Sequence, residues 1–191
     1  VKAMFGDSAF RERQRLAAVN SINWARVAAQ TVYYVTSALR VGAGAPTSFC
    51  VPTGNFGNIV SASIARRLGA PIDELVIASN HNDILTRTHE NGVMAIDTVR
   101  PSTSPAMDIQ VSSNFERLLF ELGGRRGLDL GEQMREFRAT GSLSLEEAVV
   151  DELRAGFGAG RASVSDVHET MRAIYETTGR LLDPHTSVGV H

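Results

Sequence analysis

The chain has 191 residues, of which 19 are basic, 21 acidic and five histidine, leaving a formal charge of −2. At 43% hydrophobic and 21% charged, its composition is that of a globular protein rather than a disordered or fibrous one. The near-neutral balance offers no electrostatic footprint for nucleic acid or an anionic membrane, and a single cysteine, Cys50, excludes an internal disulfide framework and a cysteine-cluster metal site. No apolar run approaches the ~20 residues of a membrane span, so a cytoplasmic protein with no nucleic-acid and no membrane partner is expected. Eighteen of the nineteen basic residues are arginine and only Lys2 is lysine. That ratio bears on chemistry, because lysine is the residue that holds several cofactors and substrates as Schiff bases.

In chain order, residues 7–15 are dense in charge. Residues 21–39 are predicted as one long helix, since Ile22, Trp24, Val27, Val32, Val35 and Leu39 recur at helical spacing. Asn20 or Ser21 serves as its cap, and Gly42, Gly44 and Pro46 end it. Residues 48–51 form a short apolar run of buried-strand type, in which Cys50 reads as inert core. A glycine turn over 52–58 leads into a helix at 59–68, stopped by Gly69 and Pro71. A second buried strand at 75–78 and a helix from Asp83 to about Glu90 follow. Strand and helix alternating at this spacing predict βαβ units, a mostly parallel sheet and the α/β class.

Residues 114–122 are amphipathic, and three more helical patterns occupy 130–138, 145–154 and 164–178. Ser144 and Glu147 have capping-box spacing, and 156–160 reads as glycine punctuation. The expected division is an α/β portion at 1–124, an all-helical insertion or flank at 125–180, and a return into the α/β body at 181–191. There Pro184 reads as a turn and 186–190 as the start of another element. Both ends stop in mid-pattern, so an internal piece of a longer protein is expected.

The most chemical stretch is Thr53-Gly54-Asn55-Phe56-Gly57-Asn58, between a strand and a helix. A phosphate needs several backbone N–H groups converging on it without Cβ atoms in the way. Glycines are expected to supply unusual dihedrals and close approach, and the following helix to present unpaired donors and a positive dipole end. The alternative is a tight strand-to-helix turn with a capping asparagine. The pattern lacks the third glycine of the dinucleotide fingerprint, and Gly57 is followed by Asn58 and Ile59 where the nucleotide P-loop has Lys and Ser or Thr. A phosphate here is therefore held without a lysine and without an obvious magnesium ligand, which favours the phosphate arm of a cofactor.

Five runs together resemble threonine synthase: LAAVNSINWAR at 16–26, VPTGNFGN at 51–58, NHNDIL at 80–85, SPAMDIQVSSNFER at 104–117 and DPHT at 183–186. The resemblance implies a three-layer αβα pyridoxal-phosphate enzyme of the fold shared with the tryptophan synthase β chain, acting on O-phosphohomoserine and water to give threonine and phosphate. It implies that Gly54, Asn55, Phe56, Gly57 and Asn58 cradle the cofactor's phosphate. The family's Schiff-base lysine lies upstream, and Lys2 does not match its context, so no catalytic residue is assigned and the segment alone is expected to be inactive. The intact enzyme is expected to be a monomer or small homo-oligomer. Other readings are a threonine dehydratase or cysteine synthase of the same fold, or a non-catalytic phosphate-binding module.

Asn20, Ser21, Asn23, Asp83 and His185 are candidates for a substrate cleft, each with a capping or turn role as its alternative. Asn80 and Asn82 follow a buried strand, where ligands of open α/β sheets collect. The sequence does not reveal individual roles for Asp108, Ser112, Ser113 and Asn114. His81 and His89 are eight apart, not at the i, i+4 spacing of a helical metal pair, so no metal is expected.

Overall fold

The computed structural model describes residues 2–17 and 20–191; Ala18 and Val19, in the 16–26 run, lie outside the described residues. Two short charged helices, α1 (Lys2–Gly6) and α2 (Ser8–Gln14), open the chain. Helix α3 (Trp24–Gly42) buries Val27, Thr31, Tyr34 and Ala38, spaced to fall on one face. It starts three residues later than expected. Asn20 turns its own side chain onto the Ile22 N–H at 3.0 Å, and Asn23 caps the helix by accepting from the Ala25 N–H at 2.9 Å.

Strand β1 (Thr47–Pro52) leads through the glycine turn into α4 (Gly57–Arg67), then into β2 (Ile72–Ser79), α5 (Ile84–Asn91) and β3 (Val93–Ala95). β1 and β2 run parallel with Val51 opposite Ile77, as the strand–helix alternation predicts. Phe49 and Val51 are drawn into the core, so the strand's period of two sends Ser48 and Cys50 to the other face. Cys50 is therefore exposed, contrary to the expectation of inert core.

Helices α6 (Phe115–Leu122) and α7 (Gly127–Thr140) follow, then β4 (Ser142–Ser144), α8 (Glu147–Gly156), β5 (Gly158–Arg161), α9 (Val164–Thr178) and α10 (Pro184–Val190). The stretch 125–180 is thus not all helix. β4 pairs antiparallel with β3, and β5 lies parallel to β2 with Val76 opposite Gly158 and Ala78 opposite Gly160. The nearest atom to a Cβ on Gly158 would be the movable end of the Glu74 side chain, at 2.9 Å, and one on Gly160 would meet nothing within 4 Å. The expected box at Ser144 and Glu147 does not form, because Glu146 takes the N-cap position of α8 without a side-chain bond. A reciprocal box forms instead at Ser163 and Asp166, at 2.7 and 3.2 Å. Pro184 is the first residue of α10 rather than a turn, a position where its missing N–H has no cost.

One hydrophobic core joins α4, β2, α6, α7 and α8 through Phe56, Ile59, Leu75, Phe115, Phe137 and Leu153. A smaller cluster packs Ala78 and Met107 against Ala162, Val167 and Val188. Among the described residues no helix is long and apolar enough to cross a membrane.

Candidate functional site

The glycine turn sits between the C-terminal end of β1 and the first turn of α4. Its left-handed residue is Phe56 (φ 62°, ψ 0°), not Gly54 or Gly57, so the expectation that the glycines supply the unusual dihedrals is corrected. A non-glycine residue there costs roughly 1–2 kcal/mol. Burial offsets it: the ring is 1% exposed and meets Phe115 edge-on at 5.0 Å and Phe157 at 6.2 Å. The glycines serve close approach instead. A Cβ on Gly54 would lie 2.5 Å from the Ala106 carbonyl oxygen, and one on Gly57 would lie 3.4 Å from Asn114 Nδ2 and the Ser21 carbonyl.

The carbonyl side of the loop is fastened. Ser112 Oγ donates to the Gly54 carbonyl at 2.8 Å, and the Asn55 carbonyl accepts from the Asn114 N–H at 3.1 Å and from Asn114 Nδ2 at 2.9 Å. Ser113 Oγ donates to Asn55 Oδ1 at 3.2 Å, and Tyr34 Oη donates to Asn58 Oδ1. Burial holds the Tyr34 phenol well above its ordinary range. Asn55 and Asn58 each spend their side-chain oxygen on a protein hydroxyl, and the Phe56 ring is buried. The N–H side is the reverse: among the described residues, no backbone N–H from Gly54 to Ile59 finds a protein acceptor. Six successive open donors at a helix start are an arrangement chemically suited to an anion.

These donors border a cleft of about 140 Å³ whose other walls are Ser21, Arg26, Val27 and Gln30. Gln30 Oε1 is buried there and has no hydrogen-bond partner among the described residues. Open main-chain donors, a positive helix end and an arginine together fit a phosphate group, and the volume admits one where a water takes about 30 Å³. A larger groove, about 1130 Å³, runs between α4, α6, α7 and α8. Its arginines are already engaged: Arg67 pairs with Glu121 at 2.7 Å, Arg138 with Glu116 at 3.5 Å, Arg66 donates to the Asp73 and Gly156 carbonyls, and Arg117 to Asn114 Oδ1 and the Ile22 carbonyl.

Of the substrate-cleft candidates, Ser21 lines the cleft. Asn20 and Asn23 serve turn and cap, as above. Asp83 lies at the start of α5 in an ion-pair cluster, 2.9 Å from Arg87 Nε and 2.7 Å from an Arg161 nitrogen, away from the cleft lining. His185 Nε2 accepts from the Ala106 N–H at 3.3 Å, so it touches the short turn Pro105–Met107 that closes on Gly54. Asp108 fastens that same turn. It accepts from Ser102 Oγ at 2.6 Å, Asn80 Nδ2 at 2.8 Å and Asn82 Nδ2 at 3.0 Å. Burial pushes its carboxyl up, but the hydrogen bonds from Ser102 and Asn80 prevail and hold it below the ordinary carboxylate range. Gln30 escaped the sequence reading, although a polar residue three positions after Val27 on an apolar helix face is a usable signal.

Fold and site together define a class: an α/β protein with a parallel sheet, whose strand-to-helix turn leaves a run of main-chain donors open. No protein-family model matches the chain. The pyridoxal-phosphate-bound threonine synthase of Brucella melitensis superposes on 99% of the chain with a TM-score of 0.95, at 46% identity and over 41% of its own length. The threonine synthase of Pseudomonas aeruginosa is 49% identical over 191 residues, 100% of this chain and 41% of that protein. A threonine deaminase of known structure shares the fold alone, with a TM-score of 0.60 at 16% identity over 95% of this chain and 52% of that one. The chain is a homologue of the threonine synthases along its whole length, in their pyridoxal-phosphate fold. It spans about two-fifths of the length of the relatives it matches.

Proposed function

We propose that the chain forms the phosphate-side wall of the cofactor site in a threonine synthase, with the Gly54–Asn58 turn and the opening of α4 as the cradle for the phosphate of pyridoxal phosphate. The observation that carries this reading is the run of open N–H donors from Gly54 to Ile59 at the positive end of α4. When bound, the cofactor supplies an electron sink for bonds at the substrate's α-carbon. The residues of this chain hold and orient it: the main-chain donors of Gly54–Ile59 face the phosphate, Arg26 adds positive charge, and the buried Phe56 ring keeps the loop rigid. Ser21 is the substrate-cleft candidate that the geometry favours, because it shares the cleft wall with the loop.

The proposed parent is a lyase that converts O-phosphohomoserine and water to threonine and phosphate. Within it, residues 1–124, strand β5 and residues 181–191 belong to the cofactor-binding body, and the rest of 125–180 to its flank. No lysine of this chain is assigned to the cofactor, so the 191 residues alone are proposed to be inactive. The test is product formation from O-phosphohomoserine, measured for the purified 191-residue chain and for the full-length polypeptide that contains it. Threonine and phosphate are expected from the second only. Threonine made by the 191-residue chain would overturn the inactivity, and a full-length protein that acts on threonine or O-acetylserine instead would overturn the substrate.

A further inference from the structure

We propose that Asn114 is a positioning residue for the phosphate cradle, fixing the carbonyl side of the loop so that its N–H side faces the ligand. The proposal rests on the reading of Gly54–Asn58 as that cradle. Asn114 is 0% exposed and occupies the N-cap position of α6, yet its side chain makes no cap hydrogen bond. An N-cap asparagine ordinarily spends its oxygen on its own helix. Here the amide is spent on distant segments. Nδ2 donates to the Asn55 carbonyl at 2.9 Å and the Ser21 carbonyl at 2.8 Å, while Oδ1 accepts from Arg117 Nε at 3.0 Å. Arg117 in turn donates to the Ile22 carbonyl at 2.8 Å. One amide therefore ties the loop after β1, the approach to α3 and the start of α6, and every hydrogen of its Nδ2 is used.

The link to the ligand is geometric. In a trans peptide unit the C=O and the next residue's N–H point in opposite directions, and the chain has no cis peptide bond among its described residues. Holding the Asn55 carbonyl on Asn114 turns the Phe56 N–H the other way, and holding the Gly54 carbonyl on Ser112 does the same for the Asn55 N–H. Mere packing at this buried spot would be served by any side chain of similar shape. The main-chain N–H of residue 114 also holds the Asn55 carbonyl, at 3.1 Å, and the Nδ2 hydrogens add the second hold on that carbonyl and the tie to Ser21.

The experiment uses the full-length polypeptide and compares its affinity for pyridoxal phosphate with that for pyridoxal, which lacks the phosphate. The readout is the ratio of the two, with the phosphorus resonance of the bound cofactor as a second signature. Asn114→Leu keeps the shape, adds no charge and loses both side-chain donations, so the ratio is expected to fall about 10-fold or more while pyridoxal affinity holds, and the resonance to move. Ser112→Ala removes one bond from the Gly54 carbonyl and is expected to lower the ratio about threefold. An unchanged ratio in a folded Asn114→Leu protein overturns the proposal. Should that variant fail to fold, an unchanged ratio in Ser112→Ala overturns it instead. A wild-type protein that binds the two ligands equally overturns the cradle reading itself, and the proposal falls with it.

Discussion

Gly54 and Gly57 look interchangeable in the sequence, and their surroundings separate them. The missing Cβ of Gly54 would press on a backbone carbonyl of the Pro105–Met107 turn, which Asp108 and His185 hold from behind and cannot release. Gly57 faces softer neighbours at 3.4 Å and occupies the first position of α4, where alanine is a good helix former. Gly54→Ala is therefore expected to cost about 2–3 kcal/mol of stability in urea unfolding, the upper range for overpacking. Gly57→Ala should cost less than about 1 kcal/mol. Equal losses for the two would contradict this account. The sequence showed that glycine matters in this loop but not why. The left-handed dihedral went to Phe56 because its ring finds Phe115 and Phe157, which lie 59 and 101 positions further on.

Among the elements, α10 depends most on a single side chain. Asp183 caps it, accepting from the His185 N–H at 2.9 Å, from the Thr186 N–H at 3.3 Å and from Thr186 Oγ1. The hydrogen bond from the Thr186 hydroxyl is the main reason its carboxyl lies below the ordinary range; burial opposes it weakly. A lowered native pKa means the cap stabilises the fold at and above the unfolded value of about 3.9, and that contribution is lost as pH falls through the native value. Asp183→Ala is expected to cost about 1 kcal/mol near neutral pH. Its difference from the wild type should vanish once the pH is below both values, as read by denaturant unfolding across an acid series. A difference that persists in strong acid would refute the carboxylate cap.

Elements were legible where their signals are local. Helix α9 runs over 164–178 as expected, because Ser163 and Asp166 close its box and Gly179 ends it in the left-handed conformation, φ 69°. β5 was illegible, since a Gly-Ala-Gly-Arg run has no period and its partners, Val76 to Ser79, lie some eighty residues earlier. The start of α3 was misplaced because Asn20, Ser21 and Asn23 are all competent caps, and only the fold distributes their roles. Ser112 and Asn114 were unreadable for the same reason: their partners are carbonyls, which leave no mark in a sequence.

Taken whole, the molecule leaves apolar surface open. Trp24, Val32 and Leu39 share one exposed stripe of α3, each more than half exposed, and β1 has a described neighbour on one side only. Such a face and an open strand edge favour association. The isolated 191-residue chain is expected to show a light-scattering mass above that of a monomer, rising with concentration. The double variant Val32→Glu, Leu39→Glu should return it toward the monomer value. A wild-type chain that stays monomeric throughout would contradict this.

The cleft beside the glycine loop is lined by Ser21, Arg26, Val27, Gln30 and residues 52–58, none of them a carboxylic acid, histidine, cysteine or lysine. The strength of its hold on a phosphate ester would follow the ester's second ionisation, near pH 6. Drift in the loop's side chains would disturb the packing behind it and leave the charge it reads unchanged.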